Sequence, residues 1–441
     1  MTKKTTARIA AFRALDRCER DGAWSAAALD SMLREAELSE RDSALASRLF
    51  LGVLQNETCL DHYLNLFCTS KTEPKLRLVL RLGAYQLLFL DKIPDHAAVS
   101  ESVELCRAIG AERGAPLVNA VLRKLSGSKD QLPPIPGEGS AQYLSVRYSH
   151  PLWLAERLIG ELGYAGTEAF FRANNDTPPL CIQLNRLRVK PEDYSRALER
   201  HGYSFQLFPE LPGCMELTGG KTTSLPGYED GLFYVQDRAA RIAVQAAGVR
   251  PGMQILDACS APGGKTLAAV LEAEGKCSIT SCDLHEKKLR LVRASAEKLG
   301  LSSCVNTCAA DARSFRPDWD CAFDLVMADV PCSGLGVIRK RPEIRRKSEA
   351  ELRGLPQIQH DILNNLCRYV KPGGVLMYST CTVLREENQE QIRIFLQTHP
   401  DFLAEEFSVG DIHSTGGCYT FWPQTDGTDG FFAAKLRRKS S

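Results

Sequence analysis

The sequence predicts a multidomain protein: an all-α N-terminal domain, a small α+β middle domain and an α/β, Rossmann-like C-terminal domain. Three observations carry this reading. From Met1 to about Ser126 apolar residues recur at helical intervals. Ser126–Ser140 (SGSKDQLPPIPGEGS) is rich in Pro, Gly and Ser and reads as a linker. From Gln254 onward short apolar strands alternate with long helical stretches, the pattern of a parallel sheet. The division expected is residues 1–126, a linker 127–142, a module 143–230 and a final domain 231–441.

In the first region Ala7–Cys18 sets Ile9, Phe12, Leu15 and Cys18 at helical spacing, and Ala44–Leu54, Leu76–Leu90 and Val99–Ile109 do likewise. Lys3, Lys4, Arg8, Arg13 and Arg17 form either a phosphate-binding edge or an ordinary solvated helix face, and the residues leave both readings open. In the middle module a helix over Leu152–Ala173 is followed by a strand (Leu180–Leu184), a helix (Pro191–His201) and two strands (Ser204–Phe208 and Met215–Leu217). Arg186, Arg188 and Lys190 beside the first strand would meet nucleic acid or simply keep a sheet edge soluble. His150, next to Pro151, has no visible partner, so no chemical role is expected of it.

In the last domain Gln254–Thr266, QILDACSAPGGKT, reads as an apolar strand ending in Asp257, a Gly/Pro-rich turn, and Lys265 and Thr266 opening a helix. Doubly wound sheets bind ligands at such turns, outside the carboxyl ends of parallel strands. Gly263 and Gly264 are expected to let a ligand approach the backbone, and the helix start offers unpaired N–H groups to a carboxylate or phosphate. Neither GxGxxG nor GxxxxGK[ST] fits SAPGGKT, so nothing demands a pyrophosphate. Further strands are expected over Ile279–Asp283, Asn306–Ala310 before Asp311, and Phe323–Val330 running into Pro331 and Cys332. Val375–Tyr378 runs into Ser379, Thr380 and Cys381, a helix covers Glu386–Gln397, and Asp429–Leu436 is the final strand. An acid ending the second strand commonly hydrogen-bonds ribose hydroxyls.

Composition narrows the function. A chain of 441 residues can bury a sizeable core. Its 55 basic and 54 acidic residues leave a net charge of +1, so contact with nucleic acid must come from local patches. The 16 cysteines lack a regular disulfide spacing, and no signal peptide or long apolar run is present, so the chain reads as cytoplasmic with reduced thiols. Cys304 with Cys308 and Cys277 with Cys282 are pairs, but no CxxC and no nearby His completes a zinc site, and no metal is expected.

The segments DACSAPGGKT, DVPCSGLGVIRKRPEIRR and YSTCTVLREENQEQI resemble successive motifs of the RNA cytosine-C5 methyltransferases of the Sun family, which use S-adenosyl-L-methionine. Ile93–Leu125 resembles the NusB-type RNA-binding helical domain, an accessory module in that family. The resemblance runs over nearly the whole length. It implies a NusB-like N-terminal domain, a substrate-recognition subdomain and a class I S-adenosylmethionine-dependent methyltransferase domain. It also implies 16S rRNA or an early small-subunit assembly intermediate as partner, cytosine 967 as target, a monomer, and no membrane.

Carbon 5 of cytosine is a poor nucleophile, so an enzyme that methylates it must make it electron-rich. A thiolate adding to carbon 6 does this, while a donor at N3 neutralises the charge that develops on the ring. Asp329 and Cys332 at the end of one strand and Cys381 at the end of the next supply these groups. By the resemblance, Cys381 is the nucleophile, Cys332 helps release the product, Asp329 binds and protonates the cytosine edge, and Lys265 lies beside it. The backbone of Cys259, Ser260, Ala261, Pro262, Gly263 and Gly264 holds the methionine part of the cofactor, Asp283 the ribose and Asp311 the adenine amino group. Read as ordinary structure, Asp283 is a helix cap, Asp311 a loop acid and the two cysteines buried apolar residues.

Gly334–Lys347 (GLGVIRKRPEIRRK) holds six cations and one acid, Glu343, and is expected to bind phosphates around an extruded nucleotide. Family members often carry His and Trp where this chain has Arg341 and Arg346, a departure that touches RNA contacts and not the chemistry. Two other classes stay open: a methyltransferase for another target, which usually shows a DPPY-like stretch and needs no thiol, and a non-catalytic RNA-binding assembly factor. The intact loop and both cysteines argue against the second of these.

Overall fold

The computed structural model describes residues 5–21, 25–68 and 71–440, so Lys3 and Lys4 lie outside the described residues. The chain divides into two compact units, residues through Asp176 with Ile338–Glu349, and Thr177–Val337 with Ala350–Ser441.

The first unit is helical. Ala7–Asp21, Ser25–Ala36, Glu40–Gln55, Glu57–Phe67, Pro74–Phe89, Asp95–Ala108 and Ala115–Ser128 surround a core that includes Phe12, Leu15, Leu49, Phe50, Leu80 and Leu122. Local chemistry sets their ends. Ser39 accepts a hydrogen bond from Asp42 N (3.1 Å) at the start of Glu40–Gln55, and Pro74 and Pro116 occupy first-turn positions where no N–H is needed. The expected linker is partly structured: the helix continues to Ser128, and Ile135 is buried against Cys59 and Val146. Ala141–Tyr148 and Leu152–Ala173 complete the unit, the latter broken at Gly163, whose φ of 71° suits glycine.

Ile338–Glu349 packs in this unit, and there the expectation of a wholly RNA-facing basic loop is corrected. Arg345 is 7% exposed, and its guanidinium donates to four backbone carbonyls, Gln55 O (3.0 Å), Tyr148 O (2.8 Å), Ser149 O (3.1 Å) and Asn174 O (3.2 Å), and to Asn175 Oδ1 (2.6 Å). Burial lowers its pKa to about 9. Arg346 donates to Glu57 Oε2 (2.6 Å), and Ser25 Oγ donates to Glu343 Oε2 (2.6 Å). A guanidinium buried this way is a structural tie and meets no phosphate. His150 is buried beside it, stacked on Phe171 with ring centroids 3.9 Å apart, and burial followed by Arg345 pushes its pKa down. Arg8 is likewise engaged internally, donating to Gln86 Oε1 (2.8 Å).

The second unit holds two sheets. The smaller is antiparallel, with strands β1 (Leu180–Leu184), β2 (Phe205–Leu207), β3 (Cys214–Leu217) and β4 (Phe233–Val235) in the order β2-β3-β1-β4. The helix Pro191–Arg200 covers it through Tyr194 and Leu198, which pack with Ile182, Met215 and Phe233.

The larger sheet begins with the parallel strands β5 (Gln254–Asp257), β6 (Ser278–Asp283), β7 (Val305–Ala309), β8 (Phe323–Asp329) and β9 (Val370–Thr380). After β9 come β10 (Phe402–Ala404), the small hairpin β11 (Ser408–Val409) and β12 (Ile412–His413), β13 (Cys418–Phe421) and β14 (Phe431–Arg438). The order is β10-β14-β9-β8-β5-β6-β7, with β13 also on β14. Strand order reverses at β5, between β6 and β8, and this switch point is where such sheets open a crevice. β14 runs antiparallel to β9, which makes the sheet mixed. Leu256, Val326, Leu376 and Phe432 fill one face, and Ile255, Leu325, Met377 and Ala433 the other, as expected for strands buried on both sides. None of the helices in the described residues is long and apolar enough to cross a membrane.

Candidate active site

Strand register brings the predicted residues together. Asp329 at the end of β8 pairs with Ser379 on β9, so Cys332 and Cys381, three and two residues further on, leave the sheet side by side. Their sulfurs are 3.2 Å apart and both residues are partly exposed. Contact with Cys381, and then burial, holds the Cys332 thiol well above the ordinary thiol range.

Asp329 is held from two sides. Its Oδ2 lies 2.7 Å from Lys265 Nζ, and its Oδ1 accepts from Ser379 Oγ at 2.9 Å. Lys265 Nζ also sits 5.0 Å from the centroid of the Phe431 ring, a cation–π contact that keeps the ammonium on this side of the cleft. Ser379 and Phe431 were not singled out in the sequence. The adjacency of Ser379 to Thr380 and Cys381, at a position facing Asp329 in register, was the available signal for the first.

The loop after β5 turns at Ser260–Gly263 through a cis Ala261–Pro262 bond, with Gly263 N donating to Ser260 O (2.7 Å) and Ser260 N to Cys282 O (2.7 Å). Gly263 has φ 109°, and a Cβ there would lie 3.3 Å from the Val292 Cα. A Cβ at Gly264 would lie 3.3 Å from Gln236 Nε2. The positive φ of Gly263 serves the turn, and the missing Cβ at both positions also leaves room for Val292 and Gln236 packed against the loop. Ser260 Oγ is buried with no partner within the protein, a polar atom left for a bound group.

Beneath the loop Asp257 is fully buried. Its Oδ2 accepts from Thr266 Oγ1 (2.7 Å), which in turn meets Ser281 Oγ (2.8 Å), and Oδ1 has no partner within the protein. Burial pushes its pKa up to about 7. A carboxyl raised in the folded state favours folding below its unfolded pKa near 3.8, and that contribution is lost as pH rises toward 7. Asp257→Asn retains the acceptor for Thr266 and has no charge to bury. The variant is expected to gain stability over wild type between pH 4 and pH 8, on the order of 3 kcal/mol, measurable by urea unfolding at both pH values. An identical pH dependence in both proteins would contradict the buried-acid assignment.

Asp283 and Asp311 line a cavity of about 320 Å³ at the ends of β6 and β7, with Ala258, Ala310, Pro331, Ile358 and Ile362 among its apolar walls. Asp283 is 8% exposed, and its Oδ1 accepts from His285 N (2.9 Å) before the helix Glu286–Leu299. Asp311 is paired bidentately with Arg313 (3.0 and 2.7 Å), whose hydrogen bonds lower its pKa. An apolar slot rimmed by two acids, ending at the Cys259 loop, suits a nucleoside joined to an amino-acid-like tail. No group of three or more His, Cys, Asp or Glu able to hold a metal occurs among the described residues.

A helical domain, a small α+β domain and a Rossmann-like domain with a dithiol cleft beside a nucleoside-sized cavity define the class: a modular methyltransferase. Family models match in the same order, NusB at residues 5–127, the RsmF/B-like ferredoxin-like domain at 150–223, and "16S rRNA methyltransferase RsmB/F" at 245–437. The chain is 32% identical to the probable ribosomal RNA small subunit methyltransferase B of Bacillus subtilis, over 99% of this chain and 100% of the relative. It is 33% identical to the ribosomal RNA small subunit methyltransferase B of Cronobacter sakazakii over the full length of both. The crystal structure of PH0851 covers 97% of this chain and 98% of its own at a TM-score of 0.82 and 26% identity. The chain belongs to the RsmB/F family of 16S rRNA methyltransferases.

Proposed function

We propose that this protein uses S-adenosyl-L-methionine to methylate carbon 5 of cytosine 967 in 16S rRNA, through a covalent adduct of Cys381 with carbon 6. The observation that supports the covalent route is the 3.2 Å contact between Cys332 and Cys381, with Asp329 at the end of β8 paired to Lys265 in the first turn of the helix after β5. A methyltransferase acting on an amino group has no use for two thiols at this place.

The Cys259–Gly264 loop, Asp283 and Asp311 would hold the cofactor, which when bound supplies an electrophilic methyl group. Addition of the Cys381 thiolate to carbon 6 forms a C–S bond and moves the ring electrons toward N3, leaving carbon 5 nucleophilic. Asp329 binds the N3 and amino edge and gives N3 the proton that keeps the ring neutral, with Lys265 beside it at 2.7 Å. Once carbon 5 carries the methyl group, its proton passes to a base such as solvent water, and the C6–S bond breaks with the sulfur leaving as the Cys381 thiolate. N3 returns its proton to Asp329, which restores the aromatic ring. Cys332, held as a thiol and in contact with Cys381, is placed to take part in that elimination. The helical domain of residues 1–126 and the module 143–230 serve RNA binding, with 16S rRNA or an early small-subunit assembly intermediate as partner.

Comparing 16S rRNA from cells with and without the gene tests the target. Loss of one methyl group, at cytosine 967, is expected, and persistence of that group in its absence would contradict the assignment. Asp283→Ala should weaken cofactor binding by roughly 1–3 kcal/mol through loss of a charged acceptor. Calorimetry without RNA measures this directly, and unchanged affinity would remove Asp283 from the site.

A further inference from the structure

Each catalytic thiol sits in a loop whose flanking residues are tied to one place. On the Cys332 side, Ser333 N donates to Glu387 Oε2 (2.9 Å), and Gln359 Nε2 bridges Pro331 O (2.9 Å) to the same Glu387 Oε2 (2.8 Å). On the Cys381 side, Thr380 Oγ1 donates to Asn388 Oδ1 (2.6 Å), and Asn388 Nδ2 donates to Thr382 O (3.0 Å). A direct bond from Ser333 Oγ to Thr382 Oγ1 (2.6 Å) joins the two loops. Glu387 O accepts from Tyr378 OH (2.5 Å), which anchors the pair to β9. Glu387, Asn388, Gln359, Ser333, Thr380 and Thr382 are each at most 1% exposed, so water does not compete for these bonds. Low local dielectric makes the bonds of such a network strong and their loss costly.

We infer that Glu387 and Asn388 are positioning residues, a consecutive pair that assigns one side chain to each thiol loop and so fixes Cys332 against Cys381. The inference rests on the reading that both thiols act in the reaction. It explains why two loops separated by 49 residues deliver sulfurs in contact. Neither residue is required to touch the substrate. Glu387 is buried with Oε1 unpartnered, and burial raises its pKa, so holding a carboxyl at this place costs stability.

The geometry of the thiols is measurable apart from catalysis. Phenylarsine oxide condenses with two adjacent thiols, forming two As–S bonds and releasing water, and protects them from iodoacetamide. Protection of Cys332 and Cys381 is read by peptide mapping, with the buried Cys181–Cys214 pair, 3.7 Å apart in the middle sheet, as internal reference. Wild type and Glu387→Gln, whose amide oxygen still accepts from Ser333 N and Gln359, are expected to be protected alike. Glu387→Ala and Asn388→Asp, which cannot donate to Thr382 O, should need about tenfold more arsenical. They should also lose roughly 10²-fold in kcat with KM unchanged, as expected for small misplacement of reacting groups. Asn388→Asp is isosteric, so it decides the matter if Glu387→Ala fails to fold. Wild-type protection and kcat in both variants would overturn the inference. Absence of an RNA adduct in wild type would instead overturn the covalent reading, while the arsenical result would still decide whether this pair sets the thiol geometry.

Discussion

Cys381→Ala should yield neither methylated product nor protein-linked RNA, with activity down by at least about 10³-fold, because without addition at carbon 6 carbon 5 is never activated. Cys332→Ala should still form the adduct and then fail to release it. On a denaturing gel with labelled rRNA fragment and cofactor, a protein-linked band is expected for Cys332→Ala and none for Cys381→Ala. Register alone does not choose between the two sulfurs, since each leaves the carboxyl end of its strand and they touch at 3.2 Å. The assignment of Cys381 as the attacking thiolate rests on the resemblance to the RNA enzymes, and Cys332, which follows a proline, is its rival. A reversed pattern on the gel would exchange the two roles.

Arg345→Met should destabilise the helical unit by roughly 5 kcal/mol, since it strands four buried carbonyls and Asn175 Oδ1 at once. The same change should leave the slope of log RNA affinity against log salt unaltered in the folded protein, because a buried guanidinium releases no counterion. A phosphate contact would lower that slope by about one charge's worth and leave stability nearly intact. Urea unfolding together with a salt titration separates the outcomes, and a shallower slope at wild-type stability would return Arg345 to the RNA interface.

Arg345 also shows where sequence reasoning stops. A run of six cations usually means a solvated face, and burial of one of them depends on carbonyls from Gln55, Tyr148, Ser149 and Asn174, which no local pattern announces. The parallel strands β5, β8 and the second half of β9 were legible because strands buried on both faces read as apolar runs, and β6 and β7 from the acids at their ends and the helical stretches between them. β10 and β13 were not, being three or four residues long and half exposed at an edge. Cys332, Cys381 and Asp329 were legible from their place at strand ends. Glu387 and Asn388 were not, since in REENQEQ they look like the polar opening of an exposed helix. Gly263 and Gly264 were conspicuous, while their packing against Val292 and Gln236, distant in sequence, was not legible.

The most direct test of the central claim is the identity of the methylated nucleoside. Purified protein is incubated with S-adenosyl-L-methionine labelled in its methyl group and with 16S rRNA lacking this modification, and the RNA is digested to nucleosides. The label is expected in 5-methylcytidine alone and absent when Cys381 is alanine. Label in any other nucleoside, or equal transfer by Cys381→Ala, would contradict a thiol-dependent methylation of cytosine carbon 5.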